Sequence, residues 1–249
     1  MQKRQHAVEV ARQARRAIES LARPAGEFDA SRYFRGTKDL GFYNVGASRL
    51  RALAKSIYRE HREAWTIDDA VAFADALIVD RYLEVKAVGV ELMACYRKAF
   101  APRLLPVWKR WLANDHSDNW ATTDAICGML IGPLLLDHPG LVKVVAGWRT
   151  HRNMWVRRAS AVGLIASARR GLALDDTYRV ALVLHGDSAD LIQKAVGWTL
   201  REAGKADGSR LERHLRKHGP RIPRTTLRYA IERFPLEKRR QLLEVTKAR

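Results

Sequence analysis

Cysteine is nearly absent from this chain. Its 249 residues hold only Cys95 and Cys127, and neither belongs to a C-x-x-C pair. That excludes a disulfide framework and a thiolate zinc site, and it points to a reducing cytoplasm. Long apolar runs are missing too. The longest, residues 125–136, is too short to span a bilayer and is broken by Gly128, Gly132 and Pro133. The N-terminus, MQKRQHAVEVARQARRAIES, lacks the apolar stretch of a signal peptide. Alternating strand patterns are scarce. No P-loop, G-x-G-x-x-G or G-x-S-x-G occurs, so nucleotide hydrolysis, nicotinamide chemistry and serine hydrolysis have no support.

Acid is also short relative to base. There are 45 Lys+Arg against 27 Asp+Glu, a formal net charge of +18. Such an excess selects a polyanionic partner. Half of it lies in residues 205–249, where 14 Lys+Arg face 5 Asp+Glu. Arg221, Arg224 and Arg228 flank a helix start there, a natural place for a phosphate. The 47% of hydrophobic residues suits a folded domain.

Apolar residues recur at helical spacing almost throughout. The spacing predicts helices over 2–22, 28–36, 48–62, from Thr66, and over 81–99, 102–113, 118–136, 139–149, 154–170, 174–185, 189–204, 207–218, 223–234 and 236–247. Thr66-Ile-Asp-Asp reads as a capping box. Gly171 and Gly186 sit where helices stop. Four segments share one column pattern: LEVKAVGV from Leu83, WATTDAIC from Trp120, WVRRASAV from Trp155 and LIQKAVGW from Leu191. Their starts are 37, 35 and 36 residues apart, the period of a helix pair stacked in a solenoid. The expected fold is all-α: a right-handed superhelix of HEAT-like antiparallel pairs with a basic concave face. No domain boundary is visible. Residues 1–249 read as one solenoid, with N-terminal helices over 1–45, repeats over 46–235 and a basic C-terminal helix over 236–249.

The repeat supplies its own control. The fifth column reads Ala87, Asp124, Ala159, Ala195, so Asp124 puts a charge where the others are small. An unpaired buried carboxylate is costly, so Asp124 needs either a cation or a solvated cleft. The plainer reading is a salt bridge to Arg158. Trp198 breaks the eighth column of Val90, Cys127 and Val162 with the largest side chain. Trp120 shares an apolar column with Leu83, Trp155 and Leu191, which on its own favours core. Trp65, Trp108, Trp111, Trp148 and Trp155 read as core. The fourth column, Lys86, Thr123, Arg158, Lys194, is a row of cations suited to phosphate contact, with a solvated face as the plainer reading. Ser117, Asp118 or Asn119 caps the helix that carries Trp120 and Asp124, four residues apart on one face. His214 and His218 are also four apart, but no third ligand accompanies them, so no metal site is expected.

NWATTD, MWVRRAS and IQKAVGWTLRE, in that order, resemble the AlkD family of DNA alkylation-repair glycosylases over about residues 28–235. The last motif is the most specific. The resemblance implies an all-helical, HEAT-like solenoid that removes positively charged alkylated purines, such as 7-methylguanine and 3-methyladenine, without burying a flipped base. It implies Asp124, Trp120 and Trp198 as the catalytic cleft, Arg158 as a DNA contact near the lesion, and Tyr33 of SRYFRG as an aromatic that completes the cleft. Lys194, Arg157, Arg224 and Arg228 complete the expected DNA-binding set. The expected protein is a cytoplasmic, monomeric, monofunctional glycosylase that acts on alkylated double-stranded DNA, with no cofactor, metal or membrane. No lysine shares a column with Asp124, so no Schiff-base step is expected. The rival is a non-catalytic HEAT scaffold that binds nucleic acid or a protein. An RNA-binding solenoid is a third reading, but no RNA module such as RNP1 is present.

Overall fold

The computed structural model describes residues 2–26, 33, 34, 37 and 39–247. Among them there is no β-strand, only an isolated bridge between Gly41 and Tyr82. The helices are α1 (Gln2–Ser20), α2 (Ala47–His61), α3 (Ile67–Ile78), α4 (Leu83–Cys95), α5 (Leu105–Ala113), α6 (Trp120–Ala125), α7 (Gly132–Asp137), α8 (Val142–Gly147), α9 (Met154–Val162), α10 (Ile165–Ala168), α11 (Leu174–Leu184), α12 (Asp190–Ala206), α13 (Gly208–His218), α14 (Arg224–Ala230) and α15 (Leu236–Val245). A π-helix, Ile126–Ile131, lies between α6 and α7. Apart from 28–36, which falls mainly outside the described residues, every helix expected from periodicity has a counterpart. The expected capping box closes α3, with the Asp69 carboxylate accepting from Thr66 N–H at 2.8 Å. Gly171 adopts φ +75°, the left-handed conformation that ends the segment after α10.

The chain divides into two compact units, Met1–Leu130 and Ile131–Arg249. The repeat carries no mark of this division in sequence. In the first unit α1 packs on α3, α3 and α2 pack on α4, and α4 packs on α6. Its core includes Phe73, Ile78, Leu92, Met93, Trp108 and Trp111, each less than 2% exposed. The connection before α2 is pinned at Gly41, whose N–H donates to Arg81 O at 2.9 Å and whose carbonyl accepts from Leu83 N–H at 3.1 Å. A Cβ at Gly41 would stand 2.7 Å from the Tyr82 ring, so only glycine fits. Tyr82 in turn stacks on Tyr43, with centroids 3.8 Å apart.

In the second unit α12 is the hub, packed against α9, α10, α11, α13 and α14. Gly197 makes the α12–α14 contact possible. A Cβ there would meet Tyr229 Cβ at 2.5 Å and Thr226 O at 2.6 Å. The Thr226 hydroxyl donates to Gln193 O at 2.9 Å across the same contact. Among the described residues, no single helix is long and apolar enough to cross a membrane.

Candidate functional site

The turn before α6 is built from buried polar groups. Of the three candidate caps, Asn119 is the one used. Its side-chain oxygen accepts from Thr122 N–H at 2.8 Å and its amide donates to Thr122 Oγ1 at 3.0 Å. Ser117, Asn119 and Thr123 are fully buried, and the Thr123 hydroxyl reaches Ser117 Oγ at 3.2 Å. Beneath them lies Lys86, only 3% exposed. It donates to Ile78 O at 3.0 Å and His116 O at 2.7 Å, and stands 3.7 Å from Asp118 Oδ1. Burial lowers its pKa, opposed by Asp118. An N-cap bond of this kind is worth about 1 kcal/mol, and the ammonium–carbonyl bonds add more in an interior setting. The start of α6 is therefore a fixed platform.

On that platform Trp120 is half-buried. Its indole Nε1–H donates to Tyr33 O at 3.1 Å, and its ring stacks on Phe34 with centroids 5.1 Å apart and planes 7° apart. Phe34 also leans on Phe42, centroids 5.3 Å apart. The aromatic that meets Trp120 through its ring is thus Phe34. Tyr33, expected to complete the cleft, gives its carbonyl to that indole and is itself 62% exposed. Asp124 is half-buried one turn after Trp120 on the same short helix. Immediately after it the chain widens into the π-helix, a distortion that recurs at functional sites.

The second unit holds the other expected residues. Trp198 is half-buried on α12, and Trp155 is half-buried at the start of α9. Of the seven tryptophans, Trp65, Trp108, Trp111 and Trp148 are buried, as a core reading requires. Trp155, expected in the core with them, is not. It shares its repeat column with Trp120, and that was the available signal.

The row of cations needs correcting. Lys86 is an internal strut. Arg158 is 5% exposed, with its guanidinium donating to Leu191 O, so it has little surface to offer a phosphate. Arg157 bridges Asp187 at 2.7 Å and the carbonyls of His151 and Arg152 at 2.9 Å each, bracing the loop before α9. Lys194 pairs with Asp190 one turn earlier, at 2.6 Å, and keeps 40% of its side chain exposed. Arg224 donates to Leu243 O at 3.2 Å and Thr246 Oγ1 at 3.3 Å, which ties α14 to the end of α15. Arg228 is exposed. Long cationic side chains lie along apolar surface and bond carbonyls as readily as they face water, and sequence alone does not separate the two.

His214 has a neighbour that sequence did not supply. His185 Nε2 lies 3.0 Å from His214 Nε2, and the His214 and His218 rings are 4.9 Å apart. Burial pushes His185 down to about 4 and His214 to about 3, the latter helped by His185. Among the described residues no group of three or more His, Cys, Asp or Glu is placed to hold a metal.

The sequence profile of the DNA alkylation repair enzyme family matches residues 14–234. No curated protein matches the chain. Among solved structures, the chain is similar to a predicted DNA alkylation repair enzyme from Enterococcus faecalis, with TM-score 0.69 and 18% identity over 80% of this chain and 90% of that one. It is also similar to AlkD2 from Streptococcus mutans, with TM-score 0.53 and 15% identity over 87% of this chain and 94% of that one. At such identities the likeness speaks for the helical-repeat fold.

Proposed function

The chain belongs to the DNA alkylation repair enzyme family, and from that premise we propose that it is a monofunctional DNA glycosylase for cationic alkylated purines in double-stranded DNA. The substrates would be of the 7-methylguanine and 3-methyladenine type. The observation that carries this reading is the Trp120–Asp124 turn: a pinned, half-buried indole and a half-buried carboxylate on a rigidly capped helix.

The chemistry suits those residues. In an N-alkylated purine the base already carries positive charge, so it leaves neutral and needs no general acid. The C1′–N bond breaks with its electron pair going to the base, and positive charge grows on the deoxyribose. Asp124 would stabilise that charge. A carboxylate about 4 Å away is worth on the order of 4 kcal/mol at an effective dielectric near 20. Water then adds its oxygen to C1′, and its proton passes to Asp124 or solvent. Trp120 would offer a ring face to the growing cation, at about 0.5–2 kcal/mol. Lys194 and Arg228, whose side chains stay solvent-accessible, would contact the DNA backbone. Arg158 would act by positioning, through its bond to the start of α12.

The test is incubation of the full chain with methylated duplex DNA and chromatography of the released bases. Release of methylated purines supports the proposal. DNA binding without any release would leave a scaffold in its place.

A further inference from the structure

In the second unit, α12 is buried on every side but one. From Lys194 to Lys205 only Lys194, Trp198, Arg201, Gly204 and Lys205 reach solvent, and every residue between them is buried. Positions 194, 198, 201 and 205 follow the turn of the helix, so their side chains form a single stripe. One member is the half-buried indole; the other three are cations.

The stripe ends in an open cleft of about 260 Å³. Arg201 and Lys205 of α12 line it, together with Arg233 and Phe234 from the segment after α14. Among the described residues no acid lines it. Two of the cations are oriented by carboxylates that lie outside the lining. Arg201 donates to Glu232, and Lys205 donates at 2.6 Å to the buried Glu202, which also accepts from Arg169 at 2.7 Å. Arg233 is exposed and makes no ion pair among the described residues. Three cations converging on one opening select an anion. Phe234, half-buried beside them, gives the cleft an apolar wall. A bare anion leaves that wall unused, whereas a phosphate attached to a sugar covers it.

We propose that this cleft is a phosphate site, filled by the backbone of the DNA strand that passes Trp198. Trp198 and Lys205 are separated by about 10 Å of helix axis. Each strand of a duplex carries one phosphate per about 3.4 Å. A strand that follows the stripe therefore seats a phosphate about three nucleotides beyond the indole. Such a contact sets the register of the strand and reads no base. The inference rests on the DNA-repair reading for the source of the phosphate, and its test uses binding instead of base release.

The test is fluorescence anisotropy of the full chain with an unmethylated labelled duplex across a salt series. Arg233→Gln should weaken binding about threefold or more and lower the slope of log affinity against log salt by about one. The double variant Lys205→Gln/Arg233→Gln should lower the slope by about two. Lys217→Gln, on the exposed side of α13 and outside the cleft, is the comparison and should move the slope less. Circular dichroism checks that each variant is folded, and Arg233→Gln carries the test if the double variant is not. An unchanged slope in Arg233→Gln, or an equal loss in Lys217→Gln, overturns the proposal. Calorimetry with inorganic phosphate separates the two sources of the anion. Phosphate binding that Arg233→Gln abolishes, with the duplex slope unchanged, makes free phosphate the ligand and overturns the strand. Base release by the wild type with no slope change in Arg233→Gln removes the cleft and leaves the glycosylase. A lowered slope without any base release keeps the cleft and removes the glycosylase.

Discussion

The indole of Trp120 lies parallel to the ring of Phe34, with centroids 5.1 Å apart and planes 7° apart. One face of the tryptophan is thereby occupied from within the protein, and its edge is fixed by the Tyr33 carbonyl. A ring held from behind presents its remaining face without having to be ordered when a substrate arrives. Phe34→Ala should therefore free the indole while leaving the fold intact. The expected result is a change in tryptophan fluorescence and a loss of base release of about three- to tenfold, in line with a stacking contribution of about 0.5–1.5 kcal/mol. Unchanged release would detach Phe34 from the site.

Asp124→Asn keeps the size of the side chain and removes its charge. A carboxylate that lowers the barrier by about 4 kcal/mol speeds the reaction on the order of a thousandfold, and release of 7-methylguanine should fall by that factor. Binding of a duplex with an abasic-site analogue should hold or improve, since one negative charge near the backbone is gone. A variant that excises within a few-fold of wild type would end the role given to this carboxylate.

Lys86→Met replaces a buried ammonium that serves the carbonyls of Ile78 and His116. Two interior acceptors lose their donor, at a cost of about 1–3 kcal/mol each. A clear drop in the denaturant midpoint is expected, along with weaker base release as the platform under Trp120 loosens. A neutral effect on both would show that the platform is not what fixes the site.

His185 and His214 give a pH signature. Their folded pKa values, about 4 and about 3, lie below the usual 6.5. Between those limits the unfolded chain binds more protons, so stability is fully present above about pH 6.5 and is lost as pH falls toward 4. Each group contributes a slope of at most about 1.4 kcal/mol per pH unit. Denaturant midpoints followed from pH 7.5 to 4.5 should decline, and His185→Phe should flatten the decline. An equal slope in the variant would refute the assignment.

Gly197→Ala drives a methyl into Tyr229 Cβ and the Thr226 carbonyl. Overpacking of this kind costs about 1–3 kcal/mol. A lower Tm is expected, with reduced base release because Trp198 is the next residue on the helix.

Much of the fold was legible because helical spacing is strong and the linkers are short. Thr66 and Gly171 mark a helix start and stop in the structure as their residue types require. The repeat columns also isolated Asp124 and Trp198 without any relative. The π-helix at Ile126–Ile131 was not legible, since one extra residue per turn leaves the apolar run looking ordinary. The stacking of Phe34 on Trp120 was not legible, because adjacent aromatics in an irregular stretch carry no periodicity to say which ring meets which partner. The roles of Arg157 and Arg158 depend on which carbonyls come near them, and that is fixed only when the chain folds.

Several of these cations close on main-chain oxygens instead of facing outward. Lys86, Arg157 and Arg158 all do so. A cation wrapped around a carbonyl displaces few sodium ions when a duplex docks. The ionic-strength dependence of DNA affinity should accordingly be shallower than a formal charge of +18 suggests. Part of the basicity of this sequence is masonry, mortared into the ends of its helices before any nucleic acid comes near.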